Sequence, residues 1–340
     1  MVEIAWEVFI VKNMKRRIVL LSSVVVAGVF LLLAGTVGTL YFAQKILRPT
    51  IDMAGGTSLI YEIDTQELTP EEKKGLSKKM ISVLQRRIDP KGILPLVWHP
   101  LGDTRFEIQM LPGNRYNPQD LQRMLKGTGI LEFRILPTQG HPEVNADEMT
   151  AYVKDLKEKG PKYTSDNKYV WCEIENINEW KRSDVFLASF GNKSYVLASN
   201  KDNETLLHST DGQKRWELEG ARPSQDEMGR RAIGFTLDEK GGRLFANVTG
   251  KNLERPLCIL LDGIAISAPN IQSRISREGI IVGNFTQTQQ NEIVNKLNAG
   301  FLPARLVEQP ISVKTIGPSI GTDNLDKGTP TGKKLLKDNN

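Results

Sequence analysis

The sequence predicts an α+β protein: one N-terminal transmembrane helix, a ferredoxin-like domain, and a more polar, mainly β stretch beyond it. Three observations carry the prediction. Residues 18–44 form a long apolar run without a charge. Between residues 57 and 135, segments of period 2 and period 3.6 follow in the order β-α-β-β-α-β, the split βαβ arrangement. Beyond residue 137, short apolar islands alternate with turn-forming residues.

The apolar run exceeds the roughly 20 residues that a helix needs to cross a hydrocarbon core of about 30 Å. Tyr41 and Phe42 close its far end, where aromatic side chains favour the membrane–water interface. Lys12, Lys15, Arg16 and Arg17 precede the run, whereas Lys45 and Arg48 follow it and Asp52 comes soon after. The heavier basic flank is retained in the cytoplasm, so the bulk is expected outside it. A cleaved signal peptide would have a shorter apolar core, about 7–15 residues, and a small-residue cleavage site. No A-x-A pattern precedes Asp52. Met14 and the basic residues after it also read as a normal N-terminus, so Met1 and Met14 are alternative starts. No later uncharged run reaches the length of a span, and residues 322–340 form a polar tail. The expectation is a single-pass protein with a cytoplasmic segment 1–17, a span 18–44 and an exported remainder.

Residues 57–63 are rich in β-formers and read as a strand, with Gly55 and Gly56 before them at a turn or close approach. Thr69 suits a helix cap, with Pro70 at the first helical position and Glu72 completing a capping box. Leu76, Met80, Val83, Leu84 and Ile88 then share one face, and Asp89-Pro90-Lys91-Gly92 ends the helix. Residues 93–98 read as a strand that Pro95 assigns to a sheet edge. Residues 104–110 alternate, with Phe106, Ile108 and Met110 opposite Arg105, Glu107 and Gln109. Asn117-Pro118 opens a second helix with Leu121, Met124 and Leu125 inward, and Gly127 closes it. Residues 130–135 alternate again and complete the βαββαβ order, with both helices on one face of an antiparallel sheet.

Residues 137–228 are polar and irregular in pattern. Islands at 169–174, 185–190 and 195–198, with turns such as Gly191-Asn192 and Asp211-Gly212, predict short strands rather than full disorder. Strand-like runs return at 232–237, 257–261 and 280–282. A last helix starts at Thr286 with Gln289 as its box partner, presents Ile293, Val294 and Leu297 inward, and ends at Gly300. Residues 303–308 and 311–316 read as closing strands.

Lys and Arg number 45 against 40 Asp and Glu, and they are scattered among the acids rather than gathered in a stripe with aromatics. A nucleic-acid partner is therefore not expected. His99, His141 and His208 lie far apart, and no phosphate loop, nucleophile elbow or HExxH motif occurs. No metal, cofactor or catalytic constellation is expected. Gly241-Gly242 reads as a turn rather than a phosphate cradle, and Asp52 as a cap or turn residue rather than a catalytic acid. Cys172 and Cys258 sit in apolar runs, either as buried free thiols or, outside the cytoplasm, as a bridge.

Six short segments, in order, resemble the SecD family of protein translocase subunits, in its first transmembrane helix and first large periplasmic domain. Residues 51–57, with Asp52, Gly55 and Gly56, look like the family's D-x-x-G-G segment after the first span. Residues 83–88 look like its I-x-x-R helix, with Arg87 at the arginine position. Residues 235–246, with Gly241 and Gly242, are close to a segment of the family's head. Residues 260–271 are similar to L-D-G-x-x-x-S-A-P-x-I, which places Asp262, Gly263 and Pro269. Residues 297–303 resemble L-r-a-G-a-L-P, with Gly300, and residues 316–321 resemble v-G-P-s-L-G, with Gly317, Pro318 and Gly321. These motif positions are read as structural.

The resemblance implies a base, from residues 50–136 and 276–321, and a head inserted at 137–275. It implies a head that contacts the emerging preprotein and moves relative to the base. It also implies a bacterial inner membrane location, a SecF-like subunit and the SecYEG channel as partners, and an ion gradient as energy source. The family continues past the last motif into five more spans that hold the ion-pathway charges. This chain ends soon after it and has no charge in its one span, so ion-coupled motion is not expected of it alone. A truncated product, a split subunit and a fragment are the open readings. As function, the first expectation is a SecD-type component that binds unfolded exported chains in an apolar groove or on an exposed strand edge within 137–275. The alternatives are an anchored scaffold or adaptor without transport, and an anchored extracytoplasmic enzyme with a compact acid or nucleophile cluster.

Overall fold

The computed structural model describes residues 51–164, 166–180, 182–208 and 215–317. The expected cytoplasmic segment, the span 18–44, the tail 322–340, and with them Pro318 and Gly321, lie outside the described residues. Among the described residues no helix is long and apolar enough to cross a membrane. Gly56–Thr315 form one unit, and the other unit contributes residues 51–55 and 316–317 to the description. In the latter, α1 (Ile51–Ala54) is a single turn that holds Asp52 and is closed by the Gly55 N–H donating to the Ile51 carbonyl at 2.8 Å.

β1 (Gly56–Glu62) forms where a strand is expected. The helix expected from Thr69 to Ile88 is two helices, α2 (Pro70–Lys73) and α3 (Leu76–Ile88). Thr69 and Glu72 do form the capping box, but Gly75 at φ +67° breaks the run. A neighbouring turn then caps α3 in place of a local side chain. Asp103 accepts from the Gly75 N–H through its carboxylate and from the Ser77 N–H through its carbonyl, each at 2.8 Å, and the Ser77 hydroxyl donates to the Gly102 carbonyl at 2.6 Å.

β2 (Leu96–Leu101) and β3 (Arg105–Met110) flank that turn and pair antiparallel. β3 also pairs with β1, placing Leu59 opposite Ile108 and Tyr61 opposite Phe106. α4 (Pro118–Leu125) opens on a second capping box, Asn117 with Asp120. Met80, Leu84, Ile88, Leu121 and Leu125 of α3 and α4 form one buried cluster with Leu59, Tyr61, Phe106 and Ile108 of the sheet. Each fully buried Leu, Ile or Phe contributes about 1.5–3 kcal/mol. This packing, more than helix propensity, holds two such short helices.

Beyond α4 come β4 (Leu131–Ile135), α5 (Ala146–Lys159), β5 (Tyr169–Ile174), β6 (Leu187–Phe190), β7 (Lys193–Ser199) and β8 (Thr205–Leu206). They are followed by β9 (Leu218–Gln225), β10 (Arg231–Leu237), α6 (Glu239–Lys251), β11 (Leu257–Leu261), β12 (Ile264–Ser267), β13 (Glu278–Val282), α7 (Gln287–Ala299) and β14 (Ser312–Ile316). The strands make three sheets, in the orders β14-β1-β3-β2, β13-β10-β9 and β6-β7-β5-β12-β11-β4-β8. In the first, β3 lies between β1 and β2, as a split βαβ requires.

Four expectations change. β4 has the predicted alternation but does not close the first sheet; β14, far along the chain, sits beside β1 instead. β4 pairs with β11, because Leu131, Phe133 and Ile135 enter a second cluster with Phe235, Phe245, Ile259 and Leu297. Among the described residues of 137–228, an α-helix and a single 3-10 turn (Ile177–Glu179) stand among the short strands: α5, capped by Asn145, buries Met149, Tyr152 and Leu156 against Tyr169, Trp171 and Leu197. Gly241 and Gly242 lie inside the first turn of α6, not in a loop, with Asp238 capping the Gly241 N–H at 2.7 Å. Of residues 303–308, only Leu306 makes a β-bridge, to Ile63.

The expected boundary at residue 275 does not coincide with a change of cluster. β13 pairs with β10, and the Val294 and Leu297 face of α7 packs into the second cluster. Cys172 and Cys258 are free thiols in a third cluster with Leu136, Val196 and Leu260. Burial pushes the Cys172 thiol up to about 11.

Candidate functional site

The chain crosses between the first and second clusters twice, from Leu125 to Leu131 and from Leu297 to Leu302. The two crossings touch, with the Leu302 N–H donating to the Thr128 carbonyl at 2.7 Å. Three of the sequence motifs meet here. Arg87 of α3 is 1% exposed and donates to the Gly127 carbonyl at 2.8 Å and the Thr128 carbonyl at 3.0 Å. Asp262 reaches the same segment from the opposite side. One of its oxygens accepts from the Thr128 hydroxyl at 2.9 Å and from the N–H groups of Gly129 at 2.5 Å and Ile130 at 3.1 Å. The other oxygen pairs with the Lys296 ammonium of α7 at 3.2 Å. Gly300 caps α7 within the second crossing.

Local chemistry explains the placement. Asp262 and Gly263 form the two-residue connection of the β11–β12 hairpin, at φ +59° and +81°. A tight hairpin turn of this hand favours an Asp-Gly pair. Gly127 and Gly129 admit the two side chains: a Cβ at Gly127 would lie 2.0 Å from an Asp262 oxygen, and one at Gly129 would lie 2.9 Å from an Arg87 nitrogen. Burial pulls the Arg87 guanidinium down to about 10, opposed by the Asp262 charge, so it stays cationic at neutral pH. The Thr128 hydroxyl and the Lys296 ammonium are both engaged by Asp262. The side chains of this cluster fasten the crossing segment to α3 on one side and to the hairpin and α7 on the other.

A groove of about 710 Å³ opens beyond the far end of the same hairpin, lined by Asn176, Asn178, Trp180, Ile266 and Asn284 among others. A second hollow of about 520 Å³ adjoins it, with Met228, Ile275 and Ile280 on its walls. Arg230, Pro269 and Val282 border both. Arg182, also on the first groove, is fixed by Asp184 at 2.6 Å, the Ala268 carbonyl at 3.1 Å and the Asn270 side chain at 2.7 Å. Its hydrogen bonds hold the Asp184 carboxyl below the usual carboxylate range. Met228 stands 80% exposed at the rim. Amides, a tryptophan and aliphatic side chains suit a polypeptide of varied sequence, whose backbone can hydrogen-bond while its apolar side chains leave water.

The other motif positions are spread through the fold. Gly55 and Gly56, at φ +73° and +147°, lead into β1. Gly242 gives close approach to Arg277, whose Cγ would lie 2.5 Å from an added Cβ. Pro269 accepts from the Leu257 N–H at 2.8 Å. Gly317 is the last described residue. Sequence reasoning missed Thr128 and Lys296. It also missed Asp262-Gly263 as a hairpin, although an Asp-Gly pair between two apolar runs is a direct signal for one.

Residues 194–304, from β7 through α7, match the family model described as the SecDF P1 head subdomain. The protein translocase subunit SecD of Elusimicrobium minutum is 30% identical over 291 residues, taking in 84% of this chain and 56% of that protein. The corresponding subunit of Endomicrobium trichonymphae is 31% identical over 292 residues, with the same 84% and 56% coverage. The chain thus spans about half the length of the curated relatives it matches. A crystal structure of SecDF in its super-membrane-facing form aligns with a TM-score of 0.50 at 24% identity, over 82% of this chain and 32% of that one, a likeness of fold.

Proposed function

We propose, from the premise that this chain belongs to the SecD family of protein translocase subunits, that its extracytoplasmic part assists late translocation or release by binding unfolded exported chains. The reading has residues 18–44 as an anchor in the bacterial inner membrane, with the N-terminus cytoplasmic. It has a base drawn from 50–136 and 276–321 and a head at 137–275, working beside a SecF-like subunit and a SecYEG channel. It assigns no catalytic chemistry to the chain. The observation that carries it is the groove along Trp180, Pro269 and Val282, an open surface trough lined by residues of varied chemistry. A passing polypeptide of no fixed sequence needs such a surface.

The test is site-specific photo-crosslinking during export. A probe in place of Met228, on the rim of the second hollow, is expected to form adducts with a stalled exporting chain. A probe in place of Ile93, 69% exposed on the loop before β2, is expected to form none. Absence of adducts at Met228, or equal adducts at both positions, contradicts the reading.

A further inference from the structure

We propose that the outer edge of β13 is a docking strand, on which an extended polypeptide segment adds as the next strand of the β13-β10-β9 sheet. The proposal rests on the reading above, names how the chain is held, and sets the contact at Glu278–Val282, just past the expected head boundary at 275.

The two end strands of that sheet differ. In the β10–β13 pair, Arg277 stands opposite Leu237 in register, and the Leu237 N–H donates to the Arg277 carbonyl at 2.8 Å. Antiparallel ladders alternate bonded and non-bonded pairs. Gly279 and Ile281 therefore turn their N–H and C=O groups toward β10, and Glu278, Ile280 and Val282 turn theirs outward. β13 ends its sheet, and no hydrogen bond joins those outward backbone groups to another described residue. Ile280 is 40% exposed, and the edge borders the second hollow throughout.

The same parity applied to β9 turns Ala221 and Pro223 outward, since the Asp226 N–H donates to Arg230 across the hairpin. That edge is closed. The Asn298 side chain of α7 accepts from the Ala221 N–H at 2.7 Å and donates to the Ala221 carbonyl at 2.8 Å, as a neighbouring strand would. Pro223 has no N–H to offer. Edges left open are templates for pairing, and folded proteins ordinarily block them. Here one edge is blocked on both counts, and the edge beside the two hollows is not.

The occupant is a peptide backbone in extended conformation, the partner that supplies donors and acceptors at the spacing of alternate strand residues. Its side chains would alternate about the sheet, into the hollow on one side and away from it on the other, which tolerates many sequences.

The experiment uses the full chain in detergent and, as probe, a reduced and alkylated exported polypeptide that cannot fold. Amide hydrogen exchange at Glu278, Ile280 and Val282 is expected to slow when the probe is added. Ile280→Pro deletes one outward donor without removing a β10 bond, and is expected to weaken binding about tenfold, near the upper end of one net hydrogen bond. Ile280→Ala keeps the N–H and is expected to weaken binding by about threefold or less, a small share of the side chain's transfer energy. Equal losses from both variants, or no slowing of exchange in the unsubstituted chain, overturn strand addition even if the probe binds. No binding of the probe by the unsubstituted chain defeats the parent reading instead. Slowing that tracks protein concentration without probe assigns the edge to a second copy of this chain, and overturns the proposal. The exchange measurement decides the matter where I280P does not fold.

Discussion

A carboxylate oxygen shared by three donors holds them all only while it stays in place. Asp262 does this for Thr128, Gly129 and Ile130, and uses its second oxygen for Lys296. Asp262→Ala strands two backbone N–H groups and a hydroxyl in a half-buried segment. The expected loss is about 2–3 kcal/mol, read from urea unfolding followed by circular dichroism. Arg87, Asp262, Gly263 and Gly300 were legible as motif positions. Thr128 and Lys296 were not, because their partner Asp262 lies 134 and 34 residues away in sequence and no local pattern announces such contacts.

At the scale of elements, periodicity located strands well and their partners poorly. The alternation at 131–135 specified a strand with one buried face, and nothing in it named β11 over β1. α5 carried the signals of a helix, with Asn145 as cap and Met149, Tyr152 and Leu156 on one face, but its polar surroundings masked them. The break before α3 was less accessible, since its cap comes from Asp103, on a turn 28 residues from Gly75. The closed edge of β9 yields a prediction at this scale. Asn298→Ala removes both hydrogen bonds to Ala221. It is expected to lower stability by about 1 kcal/mol and, through the exposed edge, to produce concentration-dependent association in sedimentation.

For the whole molecule, the carboxylates set the response to acid. Glu204 is buried with Arg255, their contact being 2.7 Å. Burial raises its pKa, but hydrogen bonds from Ser199 and Arg255 outweigh that and leave it below the usual carboxylate value. Asp184 is depressed chiefly by its hydrogen bonds from Arg182, and Asp226, raised by desolvation, is brought below its usual value by hydrogen bonds from Arg230. A depressed folded-state pKa means the unfolded chain binds protons first as pH falls. Stability from these groups is present above the unfolded carboxylate range, near pH 4, and is lost as pH drops below it. Urea midpoints are therefore expected to slip slightly between pH 7 and about pH 5, where His208, held below its usual value by burial, protonates first in the unfolded chain, and to fall steeply beneath about pH 4. Glu204→Gln is expected to flatten part of that fall while lowering the neutral-pH midpoint, because Arg255 keeps its charge without a counter-charge.

The sequence by itself determined the apolar run at 18–44, the capping boxes at Thr69 and Thr286, the strands β1 and β3 of the first sheet and the motifs that mark the family. Each of these rests on residues within a few positions of one another, where helix and strand periods and cap geometry act directly. Only the tertiary structure decided that β14 rather than β4 completes the first sheet, that Arg87 and Asp262 both bind the segment at 127–130, and that one edge of the β13-β10-β9 sheet is closed while the other is open. Those outcomes depend on which groups find each other at separations from 40 residues for Arg87 and Gly127 to 133 for Asp262 and Gly129. Such pairing follows from the packing of the whole chain and leaves no periodic trace along it.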